Sequence, residues 1–309
     1  STIMKALINA ARNGKTVTVF MELQARFDEE DNIYWTERLQ EEGVHIIPTI
    51  PGFKVHAKLL LIRRKEAGMN VFYSNISTGN FHEATARVYS DTSLLTSNSS
   101  ICRDVDNIFY LFEANFNLPS FNELKVAPFK IRSFLYKKIN KEIENAQNGF
   151  DAWIIIKVNN LVDKNIINRI YKAADAGVKI KLIVRGICVL KENYTHENIT
   201  AIGVVDRYLE HSRILIFANN NNPLYYLSSA DLMPRNLDHR IEVICPIIST
   251  SLKQEISDII NIQLNDNVKA RNLQGDAINS YRSSNSATRH QSQIETYNYL
   301  KQKGQQSSK

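Results

Sequence analysis

Cysteine is scarce in this 309-residue chain, and its pattern argues against a disulfide framework. The three cysteines, Cys102, Cys188 and Cys245, are an odd number, and no two of them have the short spacing of metal ligands. Cys188 and Cys245 also lie in apolar stretches. We therefore expect reduced, buried thiols and a cytoplasmic protein.

Long apolar runs and a signal peptide are missing as well. No uninterrupted apolar run approaches the roughly 20 residues that a membrane-spanning helix needs, and no signal peptide is visible. The apolar fraction of 43% and the charged fraction of 23% are typical of a globular protein. At this length we expect two domains of ordinary size, each with its own core.

An excess of positive charge favours an anionic partner. The formal net charge is +6, which suits nucleic acid, phospholipid headgroups, nucleotides and inorganic polyanions alike. No sequence motif of DNA- or RNA-binding proteins is present. A small anionic ligand or a linear polyanion is therefore expected rather than nucleic acid.

Two short stretches each pair a histidine with a basic residue two positions later. His56 is followed by Lys58, His211 is followed by Arg213, and an apolar run continues from each pair. In a strand, side chains i and i+2 point to the same face, so each histidine shares a face with its cation. Two such faces together would make a pocket suited to a phosphoryl group, since imidazole is a nucleophile and the cations offset phosphate charge.

These stretches lie within an internal repeat. Ile3–Gly14 aligns with Ile166–Gly177 at an offset of 163 residues, each with apolar residues at helical spacing and a glycine at the end. An apolar, β-branched run follows each glycine and predicts a buried strand. At the two histidines the offset is 155 residues, so the second copy is shorter by eight.

The repeat continues beyond the histidines into a turn and a carboxylate. Asn80 in the first copy corresponds to Asp231 in the second, and a carboxylate follows each of them eleven residues later, at Asp91 and Glu242. Such a carboxylate can accept the Nδ1 proton of a histidine, which fixes the tautomer and leaves Nε2 free to attack. A surface or salt-bridge role for Asp91 and Glu242 is the open alternative.

Strands that alternate with helices in two copies predict an α/β fold, with domains at residues 1–120 and 121–309. The second copy has a strand before its helix, Trp153–Val158, whose counterpart would precede Ser1. We therefore expect a first domain that lacks its first strand, in a fragment of a longer protein. Ile294–Leu300 predicts a last helix, and the polar tail from Gly304 is expected to be disordered.

Several long motifs resemble the catalytic, C-terminal half of bacterial polyphosphate kinase of the histidine-phosphorylating type. They are KVHAKLLLI, STGNFHEATARVYSDTSLLT, GVKIKLIVRGICVL, YLEHSRILIF and SSADLMPRNLDHRIEV. The paired histidine motif is also similar to that of the wider phospholipase D superfamily. The resemblance covers essentially the whole chain and implies two phospholipase D-like α/β domains related by an internal repeat, the first truncated. It also implies that the family's N-terminal domain and its dimer-forming head domain are absent here.

The resemblance implies an ATP–polyphosphate phosphotransferase that works through a phosphohistidine and Mg²⁺. The phosphorylated histidine falls on His56, and the second histidine of the nucleotide site falls on His211. Tyr89 and Arg185 match the family's other nucleotide-contact positions in these domains. Arg26 matches a position that the family associates with magnesium. Because a guanidinium has no lone pair for a metal, we expect Arg26 to hold phosphate oxygens instead.

With this resemblance, we expect His56 to be the nucleophile and His211 to transfer the proton. Lys58 and Arg213 would hold phosphate oxygens, and Asn80 would donate a hydrogen bond. The predicted partners are ATP, ADP and inorganic polyphosphate, with homo-oligomerisation through the absent domains. The chain by itself should fold but be a poor catalyst. Two alternatives stay open: a phospholipase D-type phosphodiesterase or nuclease, and a non-catalytic polyanion-binding module.

Overall fold

The computed structural model of the chain is an α/β structure that describes residues 1–22, 29–47, 49, 52–114, 118–190, 195–275, 279–282 and 288–307. Its helices are α1 (Thr2–Arg12), α2 (Glu29–Glu41), α3 (Glu83–Ala86), α4 (Ser99–Glu113), α5 (Ile131–Gln147), α6 (Lys164–Asp175), α7 (Pro234–Asp238), α8 (Thr250–Leu264) and α9 (Ser292–Ser307). Its strands are β1 (Thr18–Phe20), β2 (His45–Ile47), β3 (Lys54–Val55), β4 (Lys58–Glu66), β5 (Met69–Ser77), β6 (Tyr89–Ser90), β7 (Ser93–Thr96), β8 (Lys125–Ala127), β9 (Trp153–Val158), β10 (Lys179–Val184), β11 (Ile199–Val204), β12 (Leu209–Glu210), β13 (Arg213–Phe217), β14 (Leu224–Ser228), β15 (Arg240–Ile247) and β16 (Ala270–Asn272).

The order of elements bears out the internal repeat. In the first copy the order is α1, β1, α2, β2, β3, β4, β5, α3, β6, β7 and α4, and α2 has no counterpart among the described residues of the second copy. In the second copy, α6, β10, β11, β12, β13, β14, α7 and α8 take the same places, and β15 replaces β6 and β7. The predicted strand Trp153–Val158 is confirmed at its stated bounds. The boundary between residues 120 and 121 stays a prediction.

The largest sheet among the described residues belongs mainly to the second copy. Its strand order is β16-β11-β10-β9-β13-β14-β15-β3, and β8 pairs with β15. The central strands are rich in isoleucine and valine, which suit a pleated surface buried on both sides. Leu215 and Phe217 of β13 pack towards α5 and α6, whereas Ile214 and Ile216 pack towards α8. The sheet is therefore covered by helices on both faces.

The first copy forms two smaller sheets. β1 and β2 are parallel and pack with α1 and α2, while β4, β5 and β7 form an antiparallel sheet that packs on α4. In the second copy β9 lies between β10 and β13 and joins them into one sheet. Among the described residues, no strand joins β1 to β4 in the same way.

Two short parallel pairings connect the copies to each other. β3 of the first copy pairs with β15 of the second, with Val55 opposite Ile241. β6 of the first copy pairs with β12 of the second, with Ser90 opposite Glu210. Each pairing ends one residue before a histidine on one strand and one residue before a carboxylate on the other. The fold thereby brings each histidine next to a carboxylate of the other copy.

The C-terminal region is more ordered than the sequence predicts. The predicted last helix is longer than Ile294–Leu300, since α9 spans Ser292–Ser307, and the expectation of disorder from Gly304 was wrong. Contacts with α8 hold this helix, because the Tyr299 hydroxyl donates to Asp258 at 2.7 Å and Lys303 pairs with Glu255 at 2.6 Å. Such contacts supply the tertiary support that a polar helix lacks in its own sequence.

Two predictions about thiols and membrane spans can be compared with this fold. The three cysteines are free thiols, with Cys102 and Cys245 buried and Cys188 partly exposed. None of the helices in the described ranges is long and apolar enough to cross a bilayer.

Stability should depend on the core between α6 and the large sheet. Ile170 of α6 is fully buried there, so Ile170→Ala should lower the free energy of unfolding by about 2–5 kcal/mol through lost burial and a residual cavity. Ile294 on α9 is 54% exposed, so the matched change Ile294→Ala should alter it by less than about 0.5 kcal/mol. Urea unfolding of both variants measures the difference, and equal effects would contradict this placement of the core.

Candidate active site

His56 directly follows β3, at the end of the parallel pairing between β3 and β15. The backbone N–H groups of His56 and Ala57 both donate to the carbonyl oxygen of Ile241, at 3.0 and 3.1 Å. This backbone anchor places the His56 ring beside Glu242, the residue after Ile241. The distances from His56 Nδ1 to the two carboxylate oxygens of Glu242 are 2.9 and 3.0 Å.

The Glu242 carboxylate is fully buried and has a donor on every side. Besides His56, it accepts hydrogen bonds from Ser229 Oγ at 2.5 Å and from Asn236 Nδ2 at 2.6 Å. Burial opposes its ionisation, but the contacts with His56, Lys58 and Ser229 hold the pKa of Glu242 below its usual value. An ionised carboxylate only accepts, so Nδ1 of His56 carries the proton and Nε2 carries the lone pair. No described residue hydrogen-bonds to this Nε2.

His211 is held in the same way, directly after β12 and at the end of the parallel pairing between β12 and β6. Its backbone N–H donates to the carbonyl oxygen of Ser90 at 3.0 Å, and its Nδ1 lies 2.6 Å from Asp91 Oδ1. Thr78 Oγ1 also donates to Asp91 at 2.8 Å. The two imidazoles differ at Nε2, because that atom of His211 accepts from Arg213 Nη1 at 3.2 Å. Of the two imidazoles, His56 is therefore the one whose Nε2 accepts no hydrogen bond from the described residues.

The two cations predicted from the sequence lie in the same pocket. Lys58 is 8% exposed and Arg213 is 2% exposed. Burial is the main cause that lowers the pKa of both His56 and His211, and the charges of Lys58 and Arg213 lower each of them further. Both imidazoles are thus neutral near pH 7, the form that a nucleophile needs. All four residues act on one another within a single site.

Each of the two cations is held by its own hydrogen bonds. Lys58 donates to the carbonyl oxygen of His56 at 2.5 Å, and burial lowers the pKa of its ammonium group to about 8. Arg213 donates through Nε to Asp231 at 3.2 Å, and Asp231 also accepts from the Asn159 backbone at 2.8 Å. Asp231, which the sequence placed only in a turn, therefore fixes the guanidinium beside His211.

The other predicted site residues are placed less uniformly. The Tyr89 ring packs against the His211 ring, with 5.0 Å between centroids. Arg185 is partly exposed and donates through Nε to the carbonyl oxygen of Glu210 at 2.6 Å. Asn80 is exposed after the turn in which Gly79 packs against Asp91, and it contacts neither histidine among the described residues. Arg26 lies outside the described residues.

Two features of the site were not predicted. Arg240 is partly buried, and its guanidinium forms no ion pair or hydrogen bond with the described residues; burial lowers its pKa, and Arg213 and Glu242 are among the charges that act on it. Lys157 is 3% exposed and lies 2.7 Å from both Glu210 and Ser212, the neighbours of His211. Its signal was a lysine inside an apolar strand.

The described residues do not fit a resident magnesium site. They contain no group of three or more histidine, cysteine, aspartate or glutamate side chains that could hold a metal ion. The site carboxylates are also engaged already, Glu242 with His56, Asp91 with His211 and Asp231 with Arg213. These three carboxylates are therefore not free to act as the oxygen ligands of a resident Mg²⁺.

Comparison with known protein families gives two matches that together cover most of the chain. Residues 1–117 match the model of polyphosphate kinase C-terminal domain 1, and residues 124–293 match that of polyphosphate kinase C-terminal domain 2. The chain is 48% identical to the polyphosphate kinase of Vibrio cholerae over 311 aligned residues. It is also 48% identical to that of Escherichia coli K12 over 303 aligned residues. It spans 44% of the length of each relative.

Solved structures agree with this assignment. The crystal structure of polyphosphate kinase from Porphyromonas gingivalis is 42% identical, with a TM-score of 0.91 over 99% of this chain and 47% of that one. A phosphatidylserine synthase from Haemophilus influenzae, 10% identical, matches 100% of this chain and 86% of that one with a TM-score of 0.52, which shows a shared fold alone. The predicted α/β class with an internal repeat is confirmed, whereas the division into two phospholipase D-like domains stays a prediction. The chain belongs to the polyphosphate kinase family.

Proposed function

We propose that this chain carries the reaction centre of an ATP–polyphosphate phosphotransferase, in which His56 transiently carries the phosphoryl group. The observation that supports this most directly is the contact of His56 Nδ1 with Glu242 at 2.9 Å, which leaves Nε2 without a hydrogen bond from any described residue. Relatives at 48% identity are polyphosphate kinases. Because the chain spans less than half of those relatives, the activity is a proposal for the site and not for an isolated fragment.

In the proposed first step, His56 Nε2 attacks the γ-phosphorus of ATP. A new N–P bond forms, the bond from the γ-phosphorus to the β,γ-bridging oxygen breaks, and ADP leaves. The imidazole becomes positively charged while its Nδ1 proton stays in contact with Glu242, whose buried charge stabilises the intermediate. In the second step a terminal oxygen of polyphosphate attacks the same phosphorus and releases His56. Both bonds are reactive, so the sequence can run in either direction.

His211 is proposed to assist the oxygen that leaves or enters. In the structure its Nε2 accepts a hydrogen bond from Arg213, so Arg213 must turn towards phosphate before His211 can reach the substrate. This exchange places a guanidinium on the phosphoryl oxygens and frees the imidazole for proton transfer in one movement.

The remaining polar groups are proposed to bind phosphates and nucleotide. Lys58, Arg185 and Arg240 offer N–H groups that no carboxylate of the described residues pairs with, and they join Arg213 in offsetting phosphate charge. Tyr89 would contact the nucleotide, and Asn80 would donate a hydrogen bond from the exposed edge. We propose that Mg²⁺ enters with ATP as part of the substrate. Arg26 is proposed to bind phosphate oxygens.

ATP, ADP and inorganic polyphosphate are accordingly the proposed partners, in place of nucleic acid. A cytoplasmic location is also proposed, supported by three free thiols. Homo-oligomerisation through regions outside this chain stays a prediction. The phosphodiesterase alternative uses the same histidines but is not favoured by a chain that belongs to the polyphosphate kinase family.

Labelling with ATP tests the nucleophile. We expect γ-³²P-labelled ATP to leave acid-labile, base-stable label on His56, in this chain or in a chimera where it replaces the matching part of the E. coli enzyme. His56→Ala should abolish the label, and His45→Ala, at an exposed histidine, should not. Label retained in His56→Ala would rule out the assignment. Nucleotide-independent cleavage of bis(nitrophenyl) phosphate by the wild-type protein would point to the diesterase instead.

Removal of the second imidazole should slow turnover without abolishing the site. We expect His211→Ala to reduce the rate of polyphosphate synthesis in the chimera by about 10²–10⁴, the usual contribution of a positioned acid–base group. Steady-state measurement with His45→Ala as the control checks this. A rate within about twofold of wild type would contradict the two-histidine mechanism.

The pH dependence of phosphorylation should show an alkaline decline that belongs to Lys58. Below the lowered pKa of His56 the imidazole is protonated and cannot attack, while above about pH 8 Lys58 loses the charge that holds phosphate. Lys58→Arg keeps that charge, so its decline should move to higher pH. Lys65→Arg on the same strand, at an exposed position, is the control. An unchanged decline in Lys58→Arg would show that another group titrates.

A further inference from the structure

A buried polar cluster lies directly behind His211 and takes no part in the proposed chemistry. Lys157, on β9, donates to Glu210 Oε2 and to Ser212 Oγ, both at 2.7 Å. Glu210 and Ser212 flank His211 in the sequence. Lys157, Glu210 and Ser212 are each at most 5% exposed. One buried ammonium group therefore holds the chain on either side of the histidine.

The direction of the side chains explains how this cluster acts on His211. Glu210 and Ser212 both point to Lys157, whereas His211 and Arg213 both point into the site, where they contact each other. This alternation is that of extended backbone. The cluster thus fixes the rear of a segment whose front carries the imidazole, and Arg185 adds a bond to the Glu210 carbonyl oxygen.

Glu210 also connects this segment to the end of the chain. Its carboxylate accepts from Gln263 of α8 at 2.8 Å and from Gln293 of α9 at 2.9 Å. The Gln293 amide bonds to Tyr208 as well, accepting from its N–H at 2.9 Å and donating to its carbonyl oxygen at 2.7 Å. A single side chain near the start of α9 therefore fixes the backbone two residues before Glu210 and the Glu210 side chain itself.

Among the described residues, no such cluster surrounds His56. The neighbours of His56 are Val55 and Ala57, which pack in an apolar core. A buried ion pair is weak evidence for stability, because apolar residues of similar size often serve as well. The position of this one, on both sides of His211 along the chain, indicates a role in geometry.

We propose that Lys157, Glu210 and Gln293 are positioning residues for His211, and that α9 thereby forms part of the active-site architecture. Its effect on turnover rests on the proposed function, but its effect on the His211 ring does not. Loss of the cluster should let the segment shift and weaken the contact between His211 and Asp91. The imidazole would then no longer be restricted to the Nδ1-protonated tautomer.

Histidine ring nitrogen signals test this in the 309-residue chain. With ¹⁵N-labelled histidine, assigned through His211→Ala and His56→Ala, wild-type His211 should show the Nδ1-protonated tautomer. Gln293→Ala, which keeps the Lys157–Glu210 pair, should shift His211 towards a tautomer mixture and leave His56 unchanged. Lys157→Met should shift it further, and if that variant does not fold, Gln293→Ala decides alone. Unchanged His211 signals in Gln293→Ala would overturn the proposal.

A buried carboxylate elsewhere supplies the matched control. Glu142 on α5 is 1% exposed and accepts from the Asn219 backbone at 2.7 Å, with no contact to either histidine. Glu142→Gln should leave the His211 signals unchanged; an equal shift there would show general loosening and overturn the proposal.

Turnover in the chimera supplies the second readout. Gln293→Ala should lower kcat about tenfold with KM for ATP changed less than about twofold, and Glu142→Gln should not. Unchanged kcat would overturn the link to catalysis. If the wild-type chimera makes no polyphosphate, the proposed function fails while the ring signals still decide the positioning role.

Discussion

The contact between each histidine and a carboxylate of the other copy is the constraint on which the site depends. His56 reaches Glu242 and His211 reaches Asp91 only because β3 pairs with β15 and β6 pairs with β12 in one register. A shift of one residue in either pairing would turn the carboxylate to the opposite face. The packing of the two copies therefore also determines which nitrogen of each imidazole carries the proton. Neither copy supplies the carboxylate that its own histidine contacts.

The two contacts have the same plan but different surroundings, and the difference assigns their roles. Glu242 is wholly buried and hydrogen-bonded to Ser229 and Asn236. The His56 ring is therefore fixed through Nδ1, while its Nε2 has no hydrogen bond from the described residues. Asp91 has a 20% exposed side chain, and Arg213 covers Nε2 of its partner His211. A nucleophile needs an uncovered lone pair, whereas a proton carrier benefits from a neighbour that can move away. The asymmetry thus supports the proposed division of labour.

Much of this site was accessible from the sequence because it is repeated. Two histidines with following cations, and two carboxylates at equal spacing, stand out when one copy is placed on the other. The pairing between them did not, since 186 residues separate His56 from Glu242 and 120 separate Asp91 from His211. Contacts that far apart depend on tertiary strand pairing, which local periodicity does not encode. Lys157 escaped notice because a single lysine inside an apolar strand belongs to no repeated pattern, and an exposed Asn80 could not be told from its buried counterpart Asp231.

The reciprocal form of the β3–β15 and β6–β12 pairings also bears on how such a chain can arise. When residue i of one unit contacts residue j of another and j contacts i in return, the arrangement is that of a twofold-symmetric dimer. A single copy that associated with itself would assemble both histidine–carboxylate contacts at once, from one gene of half the length. Fusion of the copies then removes the requirement that they be identical. The copies now differ at three corresponding positions, Lys58 and Arg213, Asn80 and Asp231, and Asp91 and Glu242. A dimer of identical copies could have had none of these differences.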